Sequence, residues 1–303
     1  NTACDPKEVA LKSFFLGPQA ENSEWTLNCV NHIFNKWFTW RKGLFPEDGA
    51  AITPADMRDP QYLASLARFE SEVDRLMDLF ESEMPKFSPR YIGHMFSEIS
   101  LPAFFGHIIT LLHNPNNVSG ESSLVGVQIE NEAVAALLDL VGYDKTEAEG
   151  HFTSGGTVAN FEAMIRARNR LYHWLAVGAA DVQGSESQMT VIQAAHMGWH
   201  QCDELAAKVN KNETIKFNPL DSNPFEAKFQ IDSAFSCDYR GPVILVPYSK
   251  HYSWPKAAMV LGLGSEAVWP IELTDKGRVS VVDLRRKIET ALSQDRPIAM
   301  VVS

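Results

Sequence analysis

Apolar residues in the N-terminal part of the chain recur at the spacing of an α-helix. Between residues 60 and 84 the apolar positions include Leu63, Leu66, Phe69, Val73, Leu76, Met77 and Phe80. Intervals of three and four residues bring such side chains onto one helix face, and residues 22–42 carry the same pattern. Ser88 and Pro89 interrupt it. We therefore predict a helical N-terminal region over residues 1–87, and a further helix at about 125–142.

From residue 150 onward, strand-like and helix-like stretches alternate. The pieces are VILVP (243–247), KAAMVLGL (256–263), AVWPIEL (267–273), DLRRKIETALSQ (283–294) and IAMVV (298–302). Such alternation predicts an α/β fold in which helices cover a mostly parallel sheet. Residues 176–240 are rich in turn formers and poor in periodicity, which indicates an elaborated insertion.

Charge and cysteine usage narrow the range of partners. The 303 residues include 27 basic and 38 acidic side chains, a net charge of −11, which argues against nucleic acid or an anionic membrane as the main partner. No apolar run approaches the roughly 18 residues that span a bilayer, and the N-terminus lacks the pattern of a secretory signal. The separated residues Cys4, Cys29, Cys202 and Cys237 indicate neither a metal site nor a disulfide framework. A cytoplasmic protein is predicted.

Both ends of the sequence suggest a longer protein. The chain begins at Asn1 without a methionine, and it stops at Ser303 directly after the strand-like IAMVV. Parallel strands are normally buried between neighbours and seldom end a domain so abruptly. We therefore expect a fragment, or one chain of a pair.

The stretch HFTSGGTVANFEAM (151–164) places two glycines before a helical run. Backbone N–H groups at a helix N-terminus lack helical acceptors and attract an anion, and Gly155 and Gly156 leave room for a phosphate to approach. Thr157 adds a hydroxyl donor. The pattern is neither a P-loop nor a dinucleotide fingerprint. A simple capped helix start is the alternative interpretation.

A second candidate follows the strand-like VILVP. His251, in KHYSWPKA (250–257), lies at the carboxyl end of that stretch, where ligand contacts gather in open α/β sheets. A lone histidine at such a place also fits a structural or merely exposed role. Beside a helix start suited to phosphate, it becomes a candidate to face the ring of a phosphorylated aromatic cofactor.

These motifs occur together in a known family. Residues 88–143 (SPRYIGHM, LHNPNNVSGESS and ENEAVAALLDLVGY), 151–172 and 243–303 resemble the first half of a group II pyridoxal-phosphate-dependent amino-acid decarboxylase of fold type I. SPRYIGHM, NPNN and ESS are most similar to the large bacterial tyrosine decarboxylases. The resemblance implies that residues 88–303 form the first part of the cofactor-binding large domain.

The resemblance also implies roles for individual residues. Gly156 and Thr157 would hold the phosphate of pyridoxal 5′-phosphate, and His251 would stack on its ring and assist proton transfer. His94 would lie near the substrate, although a histidine in a turn is the alternative. Asn114, Asn116 and Asn117 could border the substrate pocket, but a turn built on Asn-Pro also explains them. Val158 departs from the acidic residue that is common in the family at this position.

The resemblance implies a decarboxylase of an L-amino acid, of tyrosine or a related aromatic substrate. In the family, the Schiff-base lysine and the aspartate that binds the pyridine nitrogen follow the strand that ends here at Ser303. Lys250 and Lys256 belong to the histidine motif and are poor candidates for that lysine. Another fold-type I lyase and a non-catalytic or regulatory subunit are the alternatives. A homodimer is expected, or a pairing with a second chain that carries the C-terminal half.

Overall fold

A computed structural model describes residues 5–93, 95–184, 187–212 and 221–303. By internal contacts the chain divides into two compact units, Asn1–Gly150 and His151–Ser303. The division therefore falls later in the chain than residue 88, where the sequence predicts the large domain to begin. That earlier domain boundary remains a prediction.

The first unit is helical. Its α-helices are α1 (Pro6–Lys12), α2 (Ser23–Leu44), α3 (Pro60–Phe80), α4 (Leu101–His113) and α5 (Leu124–Val141), with a 3-10 turn at Asp56–Arg58. The start of α3 is fixed by Pro60 in its first turn and by Asp59, whose carboxylate accepts from the N–H of Gln61 at 2.7 Å. Gly142, with a φ of 80°, ends α5 in the left-handed conformation. The predicted helices at 22–42, 60–84 and 125–142 are thus present.

The apolar stripe of α3 is exposed in this unit. None of the α3 residues is buried. The exposed apolar side chains of the stripe are Leu63, Leu66, Phe69, Val73, Leu76, Met77 and Phe80. The periodicity therefore predicted the helix correctly, but the described part of this unit does not cover its apolar face.

The second unit contains a parallel sheet with helices on both faces. Its helices are α6 (Gly156–Gly184), α7 (Val191–Ala195), α8 (Trp199–Asn212), α9 (Pro224–Phe235), α10 (Ser253–Val260) and α11 (Val281–Ser293). Its strands are β1 (Val243–Pro247), β2 (Val268–Ile271) and β3 (Ile298–Val301), in the order β2-β1-β3. Both pairings are parallel. The predicted α/β class and parallel sheet are confirmed.

Strand β1 runs through the centre of the core. Ile244 and Val246 belong to a large apolar cluster with residues of α6, α7, α9 and α10. Val243 and Leu245 belong to a second cluster with Ala291 of α11. Successive strand residues point to opposite faces, so β1 is buried on both sides. Its sequence is accordingly a continuous apolar run rather than an alternating one.

Residues 176–240 contain helices that the sequence pattern did not reveal. Helix α6 continues to Gly184, and α7, α8 and α9 follow. Ala194 and Ile231 are fully buried. A Cβ at Gly178 would lie 2.6 Å from that of Ala194, so glycine permits the close approach of α6 and α7. This part of the chain thus contributes to the core, and its status as an insertion remains a prediction.

The described residues contain neither a membrane-spanning helix nor a metal-binding cluster of side chains. No helix there is both long enough and apolar enough to cross a membrane. The same residues contain no group of three or more histidine, cysteine, aspartate or glutamate side chains arranged to hold a metal ion.

Candidate functional site

The glycine turn before α6 faces open space. A Cβ built on Gly155 or Gly156 would meet no atom of the described residues within 4 Å. Neither residue has the positive φ that favours glycine elsewhere in the chain, as it does at Gly142. Backbone strain and internal packing therefore do not explain why side chains are missing here. The small residues leave the first turn of α6 accessible to a ligand.

Hydrogen bonds within the chain define the start of this helix. The N–H groups of Val158 and Ala159 donate to the carbonyl of Gly155 at 3.0 and 3.1 Å. The Thr153 hydroxyl donates to the same carbonyl at 3.0 Å. The N–H groups of Gly156 and Thr157 precede the first turn that supplies helical acceptors. They are therefore the donors that this helix start can offer to an anion.

A row of alanines follows the turn, and only part of it is covered. The sequence predicts a flat face along Ala159, Ala163 and Ala167. Ala163 is half-buried and packs against the large core cluster. Ala159, in contrast, is exposed. The exposed part of this row is thus the first turn of α6, nearest the glycines.

His251 lies at the carboxyl end of β1, as predicted. The strand ends at Pro247, and the N–H of Lys250 donates to the Pro247 carbonyl at 2.9 Å, which closes a turn directly before the histidine. His251 is exposed, and its ring centroid lies 4.1 Å from that of Tyr252 at an interplanar angle of 37°. The turn and the adjacent ring limit how far the imidazole can move.

A hydrogen-bonded chain joins α6 to the histidine motif. The Asn160 amide Nδ2 donates to Ser253 Oγ at 2.8 Å. Ser253 Oγ lies 2.9 Å from His251 Nδ1, and the Ser253 backbone N–H donates to the same nitrogen at 3.2 Å. Ser253 is 0% exposed. Asn160 lies four residues after Gly156, on the same side of the helix, so the chain connects the two predicted motifs through a buried hydroxyl.

A second contact fixes the two helices relative to each other. The Arg168 guanidinium donates to the carbonyl of Leu261, just after α10, at 3.1 Å. Helices α6 and α10 are thus joined near both ends of α10. Sequence reasoning missed Asn160 and Ser253, which are 93 residues apart, because no local pattern pairs them. Their only signal was their position inside the two motifs.

The other predicted site residues have local roles or fall outside the description. His94 lies outside the described residues. Asn114 ends α4 in the left-handed conformation, and Asn117 donates to Glu130 at 3.0 Å, which agrees with the turn interpretation. The ammonium groups of Lys250 and Lys256 lie over the rings of Tyr248 and Tyr252, at 5.7 and 4.8 Å from the ring centroids.

Next to the glycine turn, His151 and Glu162 form a contact that spans it. His151 Nε2 lies 2.5 Å from Glu162 Oε2, and both side chains are partly exposed. The contact joins the segment before the glycines to the second turn of α6. It therefore bridges the glycine turn.

Comparison with known proteins identifies relatives along almost the whole chain. No family model matches the sequence. The L-tyrosine decarboxylase of Levilactobacillus brevis is 29% identical over 298 residues, which cover 98% of this chain and 45% of that protein. The resemblance to the group II pyridoxal-phosphate-dependent amino-acid decarboxylases is thereby confirmed. The aspartate 1-decarboxylase of Aliivibrio fischeri is 27% identical, covering 99% of this chain and 50% of that protein.

Structural comparison supports the predicted fold. The glutamate decarboxylase domain of diaminobutyrate-pyruvate transaminase and L-2,4-diaminobutyrate decarboxylase from Vibrio parahaemolyticus superposes with a TM-score of 0.51. Sequence identity is 18%, and the match covers 96% of this chain and 53% of that one. The chain spans about half the length of the curated relatives it matches.

Proposed function

We propose that the complete protein is a pyridoxal-phosphate-dependent decarboxylase of an L-amino acid. The observation that carries the proposal is the hydrogen-bonded series Asn160–Ser253–His251, which joins the glycine turn to the histidine in a protein similar to amino-acid decarboxylases. These hydrogen bonds give a physical reason why both motifs would bind one ligand. Without them, each motif would have an ordinary structural explanation.

The residues of the glycine turn suit the phosphate of the cofactor. In the part of the chain that the structure describes, no atom occupies the space around a Cβ at Gly156. The N–H groups of Gly156 and Thr157 and the Thr157 hydroxyl are donors, and the helix N-terminus favours negative charge. These properties match a phosphate group, whereas an apolar ligand would offer no acceptor to these donors.

Decarboxylation leaves electrons on the α-carbon of the substrate when CO2 departs, and bound pyridoxal phosphate supplies the electron sink for them. This chain would contribute binding and orientation. The start of α6 would hold the phosphate, and the flat ring of His251 would fix the plane of the cofactor. His251 Nε2 would then be placed to move a proton to the substrate carbon, because Nδ1 is engaged by Ser253.

An aromatic substrate, tyrosine or a close analogue, is the favoured assignment. The motifs at residues 88–143 resemble bacterial tyrosine decarboxylases, and the Levilactobacillus brevis relative carries that name. Aspartate is the second candidate, because the Aliivibrio fischeri relative is an aspartate decarboxylase of similar identity. His94 remains a proposed substrate neighbour.

Amine detection on the complete purified protein tests this assignment. We expect CO2 and an amine from L-tyrosine in the presence of pyridoxal phosphate, and little product from L-aspartate. Borohydride treatment should attach the cofactor to a lysine covalently. Cofactor binding with a product other than an amine would favour another fold-type I lyase. A protein that neither retains nor covalently traps the cofactor would instead be a non-catalytic subunit.

We further propose a homodimer in which the exposed stripe of α3 is covered. Phe69 is 69% exposed, and the other apolar side chains of the stripe are exposed as well. Large exposed apolar patches usually mark interaction sites. Phe69→Asp should lower the mass measured by light scattering from dimer to monomer. Ser71→Asp adds the same charge on a different face of α3 and should leave the dimer intact. An unchanged mass for both variants would contradict the role of the stripe.

A further inference from the structure

The donor geometry at His251 restricts where the imidazole can carry its proton. The Ser253 backbone N–H donates to Nδ1 at 3.2 Å. A backbone N–H can only donate, so Nδ1 must present a lone pair. In neutral His251 the proton is therefore on Nε2. The second contact, from Ser253 Oγ at 2.9 Å, involves the same nitrogen.

The Asn160 amide sets the direction of the hydroxyl. Its Nδ2 carries only hydrogens, so it donates to Ser253 Oγ at 2.8 Å and occupies a lone pair of that oxygen. The hydroxyl hydrogen is then free to point at His251 Nδ1. Hydrogen bonding consequently runs in one direction, from Asn160 through Ser253 to His251.

The burial of Ser253 stabilises this direction of hydrogen bonding. Ser253 is 0% exposed, whereas His251 is exposed. Water therefore cannot readily replace Asn160 or His251 as the partner of the hydroxyl, and a buried polar group that lost its partner would carry a desolvation cost. The ring is held through Nδ1, and none of the contacts of the described residues engages Nε2.

We propose that Ser253 and Asn160 are positioning residues that fix the orientation and the Nε2–H tautomer of His251. They act through His251 and need not touch the substrate or the cofactor. Because Asn160 belongs to α6, the same helix start that would hold the phosphate also sets the proton position on the histidine. The consequence for catalysis rests on the proposed function, whereas the tautomer itself does not.

Carbon and nitrogen chemical shifts of labelled histidine report the tautomer in the cofactor-free complete protein. The His251 signal is assigned by its loss in His251→Gln. The wild type should show the Nε2–H form. Ser253→Ala should lower the ratio of the Nε2–H to the Nδ1–H form by about two- to tenfold, the range expected for one lost hydrogen bond. Ser253→Thr keeps the hydroxyl and should restore the wild-type spectrum.

Asn160→Asp tests the direction of the chain with almost no change of shape. A carboxylate in place of the amide accepts the hydroxyl hydrogen, so the hydroxyl would turn a lone pair toward Nδ1 and the Nε2–H form should decline. Ser249→Ala is the matched control, because Ser249 is exposed and lies in the same turn two residues before His251. This control should leave the His251 signal unchanged.

The outcomes separate this proposal from the proposed function. Wild-type tautomer ratios in both Ser253→Ala and Asn160→Asp would overturn the positioning role, whatever the enzyme activity. If Ser253→Ala does not fold, Asn160→Asp alone decides. In active holoenzyme, Asn160→Ala should lower kcat about threefold or more, because the imidazole loses its orientation. The affinity for the cofactor should change by a smaller factor. A tautomer shift in a protein without decarboxylase activity would leave the positioning intact and refute only the proposed function.

Discussion

Replacing Gly156 by leucine should separate the stability of the second unit from its binding of the cofactor. The substitution places a side chain in space that none of the described residues occupies, at a backbone position whose φ is not positive. No clash or strain is therefore expected. Leucine also favours helix more than glycine does, so the free energy of unfolding should stay unchanged or rise by about 0.5–1 kcal/mol.

Cofactor affinity should move in the opposite direction. The leucine side chain would fill the approach to the N–H groups of Gly156 and Thr157. Losing one hydrogen bond to a charged phosphate costs about 1.5–3 kcal/mol, which corresponds to roughly ten- to a hundredfold weaker binding. The lost binding free energy should come from contacts to the phosphate group. Affinity for pyridoxal, which lacks that group, should consequently change much less.

Equilibrium titration of the cofactor-free complete protein with pyridoxal phosphate and with pyridoxal measures both quantities, and thermal unfolding measures stability. Gly184→Leu is the matched control, because Gly184 ends the same helix and a Cβ there also meets open space. It should leave both affinities unchanged. Wild-type affinity of Gly156→Leu for pyridoxal phosphate would refute the assignment of the phosphate to this turn.

Three further predictions address single side chains. Thr157→Ala should weaken pyridoxal phosphate binding about tenfold in the same titration, and unchanged binding would remove Thr157 from the site. His251→Ala should lower kcat about a hundredfold or more while cofactor content, measured after gel filtration, falls far less. Asp283 is 3% exposed, and donation from the Glu272 N–H and from Lys287 lowers the pKa of its carboxyl. Its contribution is therefore present above the unfolded pKa near 3.8 and is lost as the pH falls toward the folded value. Asp283→Asn should lower the free energy of unfolding by about 1.5–3 kcal/mol at pH 7 in denaturant titrations, and the difference from wild type should shrink in acid.

Local pattern was sufficient for the elements whose sequence is apolar on one face or throughout. The strand VILVP was predicted at residues 243–247, and β1 spans the same residues because it is buried on both faces. The apolar interval of three and four residues likewise predicted α3. The family motifs in turn predicted which turns would flank the candidate site, including the turn that carries His251.

The sequence pattern did not predict helices that are buried on all sides or whose burial changes along their length. From Trp174 to Ala179 every residue of α6 is buried, so the sequence there has no polar face and no helical periodicity. Helix α7 is short, and both α7 and α9 lie between turn-forming residues. Their boundaries depend on caps such as Thr190 and Asn223, and these residues also occur in ordinary loops.

The sequence by itself determined the α/β class, the position of β1, the glycine turn and the histidine at the end of the strand, because each depends on neighbours within a few residues. Only the tertiary structure decided that Asn160 and Ser253 meet, since α6 and α10 pack together across 93 residues of intervening chain. The direction of the hydrogen bonds and the burial of Ser253 both depend on this packing. They are therefore properties of the folded chain that no local pattern encodes.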